Sequence, residues 1–146
     1  LVAGSALVGQ TTLINPAAGG GFEAGTTFPS NNWTAVNGTQ TNKWFVGTAP
    51  TGYTGNRCVY ISSNATGSND NYNNGSASVV HFYQDITFPA GQPNVTLSFS
   101  WKGIGESCCD YLRVFLVPTT TTPAAGTQLP AGNQIGQNYN NQSEWQ

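Results

Sequence analysis

VTLSFSWKGIGESCCDYLRVFLV, residues 95–117, carries the most regular pattern in the chain. In its first part Val95, Leu97, Phe99 and Trp101 alternate with Thr96, Ser98, Ser100 and Lys102. A period of two sends successive side chains to opposite faces, so residues 95–102 are predicted as a half-buried β-strand. Residues 110–117, DYLRVFLV, are apolar on both faces and predict a central strand. Upstream, VVHFYQDIT at 79–87 is β-branched and aromatic, and FPAGQPN at 88–94 supplies a Pro/Gly turn of hairpin length. Three consecutive antiparallel strands are predicted from this region.

Working outward, KWFVG at 43–47, RCVYIS at 57–62 and residues 33–36 are shorter strand candidates. They are bracketed by turn-rich loops, TAPTGYTGN at 48–56 and the long SNATGSNDNYNNGSAS at 63–78. No window combines helical periodicity with capping residues. Short strands separated by turn signals predict an all-β fold, a two-sheet antiparallel jelly-roll β-sandwich. After Pro118 the pattern decays into a polar tail with brief apolar islands, which leaves the sandwich lacking its last strand.

A length of 146 residues fits one domain, assigned to residues 12–146 and preceded by a segment at 1–11. Charged residues make up only 7% of the chain, so solubility rests on neutral polar groups. Seventeen aromatic residues separate the sequence from disordered Asn- and Gly-rich chains, which lack the side chains that make burial favourable. A net charge of -2, with four scattered basic residues, gives no footprint for nucleic acid or an anionic membrane. The apolar start LVAGSALV is far shorter than the roughly twenty residues a membrane span needs. It is read as a linker, a signal-peptide remnant or a β-strand.

Four of the ten charged residues, Lys102, Glu106, Asp110 and Arg113, and two of the three cysteines fall within residues 101–117. Glu106 and Asp110 are spaced as a carboxylate pair, the tool of glycoside hydrolysis. A Gly-flanked turn also uses acidic residues for loop hydrogen bonds or for pairing with Lys102 and Arg113, and one of those roles is expected here. A thiol–imidazole pair of Cys108 or Cys109 with His81 is the other catalytic arrangement, but His81 falls inside a predicted strand. No catalytic centre is expected. Bonding between adjacent cysteines closes a strained ring, so a disulfide is expected from Cys58 to either Cys108 or Cys109, leaving the other free. Metal ligation by these thiols is the weaker alternative, with one histidine and no Cys-x-x-Cys spacing.

Aromatic rings on a polar surface stack against sugars. Tyr53, Tyr72 and Trp33 are the candidate ligand-binding residues, the two tyrosines because they lie in loops, whereas Trp44 and Trp101 are expected in the core.

Taken in order, GGGFEAG (19–25), NNWT (31–34), NKWFVGTA (42–49), CVYIS (58–62), VVHFYQDITFPAG (79–91), VTLSFSWKGIGESCCDYLRVFLVPT (95–119) and PAAGTQL (123–129) resemble a known family. It is the MAM-like, choice-of-anchor J or cleaved-adhesin type of domain of secreted, surface-attached Bacteroidetes-type proteins. The resemblance implies a jelly-roll sandwich, secretion to the bacterial cell surface and a binding or adhesive role without catalysis. It also implies that Glu23 helps hold a structural calcium, with Asp110 or Asp70 as the acidic residues available to complete the shell. Family members continue into a phrase like PPAAIDNI, which this sequence lacks. The sequence is then a fragment, or its last strand comes from elsewhere, residues 1–8 being one donor.

The expected function is that of a non-catalytic extracellular adhesion or assembly module, its partners other extracellular proteins or glycans, with self-association through sheet edges. Two alternatives stand beside it: a carbohydrate-binding module of a secreted hydrolase, and a subunit of an extracellular filament completed by strand exchange.

Overall fold

Three two-stranded antiparallel sheets, with no α-helix among the described residues, organise the chain in the computed structural model, which describes residues 11–146. The donor strand expected at residues 1–8 lies outside the described residues. Strands β1 (Thr34–Val36) and β4 (His81–Tyr83) pair across the long loop, with Ala35 opposite Phe82. Strands β2 (Lys43–Gly47) and β3 (Cys58–Ser62) form a regular five-residue ladder from Lys43–Ser62 to Gly47–Cys58. Strand β5 (Leu112–Phe115) pairs with β6 (Gln134–Tyr139). The chain is thus mostly β, in small antiparallel ribbons.

The three-strand run predicted over residues 79–117 does not form. Its outer members pair elsewhere, β4 with β1 and β5 with β6, and the segment 95–102 between them has no strand partner along its length. A strand needs a neighbour for its backbone N–H and C=O groups, and alternation alone supplies none. The expected half-burial fails too: every residue from 91 to 100 is exposed, with Val95 at 51%, Leu97 at 50% and Phe99 at 38%. Only its end is tied down. Trp101 and Gln146 exchange both backbone hydrogen bonds (3.2 and 2.9 Å), as do Gly103 and Gln142 (2.7 and 2.9 Å). Strand β6 was missed because only Ile135 and Tyr139 break its polar run. Gly136 also sits at φ +71°, and a side chain there would collide with the Tyr139 hydroxyl.

Two-stranded ribbons are marginal by themselves. These are held by an aromatic cluster and by buried amides. Phe82 is the hub, its ring 6.2 Å from Phe22, 5.7 Å from Phe28, 5.3 Å from Trp33 and 5.0 Å from Trp44. These contacts bind β1, β2, β4 and the turn-rich segment before β1 into one unit. On β3 the alternation is regular, with Cys58, Tyr60 and Ser62 buried and Tyr60 stacked on Phe45 at 6.2 Å.

Asn31 is fully buried in the turn before β1. Its Oδ1 accepts from the Ala24 N–H (3.0 Å) and its Nδ2 donates to the carbonyls of Gly25 (3.1 Å) and Thr27 (2.8 Å). Asn37 serves β2 as a surrogate strand, accepting from the Trp44 N–H (2.8 Å) and donating to its carbonyl (3.0 Å). In this Asn-rich chain, side-chain amides satisfy the backbone groups that longer ladders would otherwise engage.

Candidate functional site

The cysteine-bearing loop between residue 103 and β5 is built around the Glu106 carbonyl and the Asp110 carboxylate. The Glu106 carbonyl accepts from the N–H groups of Cys109 (3.1 Å) and Asp110 (3.2 Å) and from Asn140 Nδ2 (2.8 Å). Asp110 Oδ2 accepts from the Glu106 N–H (3.1 Å) and from the Tyr72 hydroxyl (2.8 Å), which reaches in from the long loop. The acid at position 110 therefore braces the loop, as expected of it. Of the two roles expected for the acidic residues the hydrogen-bonding one is seen and pairing with Lys102 or Arg113 is not: among the described residues the one salt bridge is Arg57–Glu23 at 3.6 Å. Arg113 instead donates to Asn138 (2.9 Å), Gln128 (3.0 Å) and the Tyr111 hydroxyl (3.0 Å).

Hydrogen bonding to the Asp110 carboxylate, with partial burial and the nearby acidic charges, raises the Tyr72 phenol above its ordinary value. The native state then holds that proton more tightly than the unfolded chain. The stabilisation is whole below about pH 10 and is lost as pH rises through the native value. Tyr72→Phe is expected to cost about 1 kcal/mol near neutral pH and to flatten the alkaline loss of stability. Urea unfolding of both proteins at about pH 8 and about pH 11 checks this, and an equal loss of stability between the two pH values in both proteins would refute it.

The disulfide expectation is corrected by the fold. Cys108 and Cys109 are bonded to each other, and Cys58 is a free, buried thiol. Strand alternation turns Cys58 inward with Tyr60 and Ser62, where its Sγ lies 3.6 Å from the Pro50 carbonyl, while Cys108 and Cys109 lie on an exposed loop. Burial pushes the Cys58 thiol up from its ordinary value, Lys102 opposing and Asp70 and Glu23 adding. It is a core side chain whose burial favours the thiol over the thiolate. His81 does not meet a thiol: its Nε2 lies 3.2 Å and 3.0 Å from the carbonyls of Ala124 and Thr127, so that nitrogen carries the hydrogen.

The residues present do not fit a calcium ion at Glu23. Its Oε1 accepts from the N–H groups of Asn56 (2.9 Å) and Arg57 (2.7 Å), and its Oε2 faces the Arg57 guanidinium. A carboxylate ringed by donors and a cation is a clamp for the loop before β3, and Asp110 is committed to its own loop. Gly55, at φ +85°, lets that loop approach, since a Cβ there would stand 2.6 Å from Glu23 Oε1. Among the described residues, the single group of three metal-ligating side chains is Glu106, Cys108 and Cys109, whose ligand atoms lie within 4.8 Å of one another.

The three candidate aromatics separate. Trp33 belongs to the core cluster, packed against Phe22 and Phe82 with its indole N–H donated to the Gly19 carbonyl (2.9 Å). Tyr72 is half-buried and committed to Asp110. Tyr53 is 60% exposed, and its ring stands 6.0 Å from that of Trp145. Lys102 Nζ lies 5.3 Å from the Trp145 centroid, a cation–π arrangement beside the pair. Trp145 and Lys102 were missed as surface partners of Tyr53. The signal available for Trp145 was the one that selected Tyr53, an isolated aromatic in a polar loop.

An open apolar groove of about 190 Å³ lies between the unladdered segment and the β5–β6 ribbon, lined by Leu97, Phe99, Val114, Ile135, Gly136 and Tyr139. Phe99 and Trp101 meet Tyr139 edge-on at 5.2 and 5.1 Å. The alternation read from the sequence thus describes a real face, turned toward β5 and β6 by side chains without a backbone ladder. No protein-family model, curated protein or solved structure matches the chain.

Proposed function

We propose that this chain is a non-catalytic adhesion and assembly module of a secreted or cell-surface protein, its ribbons belonging to a jelly-roll sandwich of the MAM-like, choice-of-anchor J type. The observation that carries the proposal is the open groove beside β5–β6. Leu97 at 50% and Ile135 at 37% exposure present apolar surface next to a segment whose backbone groups lack strand partners. Contiguous exposed apolar surface marks a contact site, and free strand edges are completed by a strand from another protein or a second copy. The Cys108–Cys109 bond agrees with an oxidising compartment, and the low charge suits contacts that salt does not screen.

The test is retention on surfaces coated with collagen, fibronectin or mucin, together with sedimentation velocity for self-association. Saturable binding in either assay is expected, weakened at least about tenfold by Leu97→Lys or Ile135→Lys with the melting temperature unchanged. Binding that ignores both substitutions, or no binding in any assay, overturns the proposal.

A second reading, a carbohydrate-binding module, is favoured by Tyr53 and Trp145, whose adjacent rings with Lys102 alongside offer apolar faces and a hydrogen-bond donor to a sugar. Tryptophan fluorescence titration against soluble oligosaccharides tests it. Binding that Trp145→Ala abolishes and Leu97→Lys spares would replace the protein-contact reading.

A further inference from the structure

Cys108 and Cys109 are adjacent in the chain, bonded, and both exposed. A disulfide stabilises a fold mainly by closing a loop in the unfolded chain, and the gain grows with loop length. With no residue between its ends, this bond ties nothing distant together. The loop that carries it is held by other means, through the Glu106 carbonyl, Asp110, Asn140 and Tyr72. Opening the bond therefore leaves those contacts and the aromatic core in place. Exposed disulfides are also the ones that an external thiolate reaches and reduces.

What opening creates is a donor set. In the bonded form the Glu106 carboxylate and the sulfurs of Cys108 and Cys109 lie within 4.8 Å of one another on the surface, and opening turns the two sulfurs into free thiols beside that carboxylate. In a tetrahedral zinc shell, with bonds of about 2.0–2.3 Å, neighbouring donors are roughly 3.6 Å apart. Breaking the bond lets the two sulfurs separate to that spacing, rotation of the exposed Glu106 side chain brings its carboxylate alongside, and water completes the fourth position.

We propose that Cys108–Cys109 is a reversible two-electron redox site whose reduced form, with Glu106, binds a thiophilic divalent cation such as Zn²⁺. In the reducing direction, the thiolate of a small dithiol attacks one sulfur, forming a mixed disulfide while the S–S bond breaks and the other cysteine leaves as a thiolate. The second thiol of the reductant then closes its own disulfide and expels the first cysteine. Two electrons and two protons pass to the protein, and the dithiol is oxidised. Binding of the cation releases both protons and leaves two thiolates and one carboxylate as ligands. In the reverse exchange a Cys108 or Cys109 thiolate attacks the disulfide form of the same small dithiol and the other cysteine displaces it, which rebuilds the bond, returns two electrons and two protons to the dithiol and removes the thiolates, so cation binding is gated by redox state.

The experiment treats the full chain with dithiothreitol, removes it anaerobically, and compares reduced with untreated protein. The peptide holding Cys108 and Cys109 is expected to gain the mass of two hydrogens, with Cys58 unchanged. The melting temperature should shift by less than about 4 °C, corresponding to little change in stability. A chromogenic zinc competition should then give one ion per reduced chain and none per oxidised chain. Glu106→Gln should weaken that binding at least about tenfold, and Cys108→Ser should abolish it while leaving the circular dichroism intact. A peptide linking Cys58 to Cys108 or Cys109, unfolding on reduction, or equal zinc uptake by both forms each overturns the proposal. A folded Glu106→Gln protein that binds zinc as tightly as the parent overturns it as well.

Discussion

Phe82→Ala is expected to destabilise the fold by about 3 kcal/mol, the low end for a phenylalanine truncation because the ring is half-buried. Phe82 meets Phe22, Phe28, Trp33 and Trp44, so its removal leaves four rings without a common partner. Edge-to-face pairs contribute beyond the area they bury, and three of these four are edge-on. For a chain of this size the melting temperature should fall by about 6–12 °C. Phe82→Leu, which keeps most of the volume, should cost less than about 1.5 kcal/mol. Urea unfolding of both variants checks the pair. A cost under about 1 kcal/mol for alanine would show that the ribbons are held together elsewhere.

That cluster also shows where sequence reading succeeds here. Strands β2 and β3 lie only ten residues apart, pair with each other and carry aromatic and β-branched residues, so KWFVG and RCVYIS were legible within a residue. Segment 95–102 has the best alternation in the chain and forms no ladder, because pairing depends on which neighbours β4 and β5 take. Those partners, β1 and β6, lie far off in sequence or are too polar to stand out. Register and partner choice are non-local properties, and a period of two records only which side chains share a face. That much held: Leu97 and Phe99 line one groove.

The site was legible to the same degree. Asp110 as a loop brace and Tyr53 as an exposed ring follow from their loop settings. The cysteine pairing did not, since no local pattern shows that β3 turns Cys58 inward, behind Pro50, away from the loop of Cys108 and Cys109. Trp33 was a candidate surface aromatic at the start of the strand predicted at 33–36, yet its indole reaches Gly19 across fourteen residues, a contact no local pattern encodes. Glu23 has the chemistry of a calcium ligand, and only its donors, the N–H groups of Asn56 and Arg57, define it as a clamp.

Asn42→Ala should have nearly as large an effect on stability and a wider one on the site. Asn42 is 6% exposed at the start of β2, and it anchors the long loop across more than thirty residues of sequence. Its Oδ1 accepts from the Asn73 N–H (2.7 Å), and its Nδ2 donates to the carbonyls of Asn73 (2.9 Å) and Ser76 (3.0 Å). Alanine leaves the Asn73 N–H in a partly buried setting without a partner and takes one of two donors from the carbonyls of Asn73 and Ser76, which keep the Ser76 N–H (3.3 Å) and the Ser78 hydroxyl (3.3 Å), a loss of about 1–3 kcal/mol. Tyr72 precedes Asn73, so the same change frees the phenol from Asp110 and loosens the brace of the cysteine loop. Asn42→Asp separates geometry from hydrogen bonding, because a carboxylate still accepts from Asn73 but faces two carbonyls with no hydrogen to donate. It should be at least as destabilising as alanine, although its shape is nearly that of asparagine. Urea unfolding gives the stabilities, and hydrogen exchange at the Asn73 and Asp110 amides reports the loop. Faster exchange is expected at both positions in either variant. Protection at Asp110 that survives while Asn73 exchanges freely would mean that the cysteine loop stands without the long loop behind it.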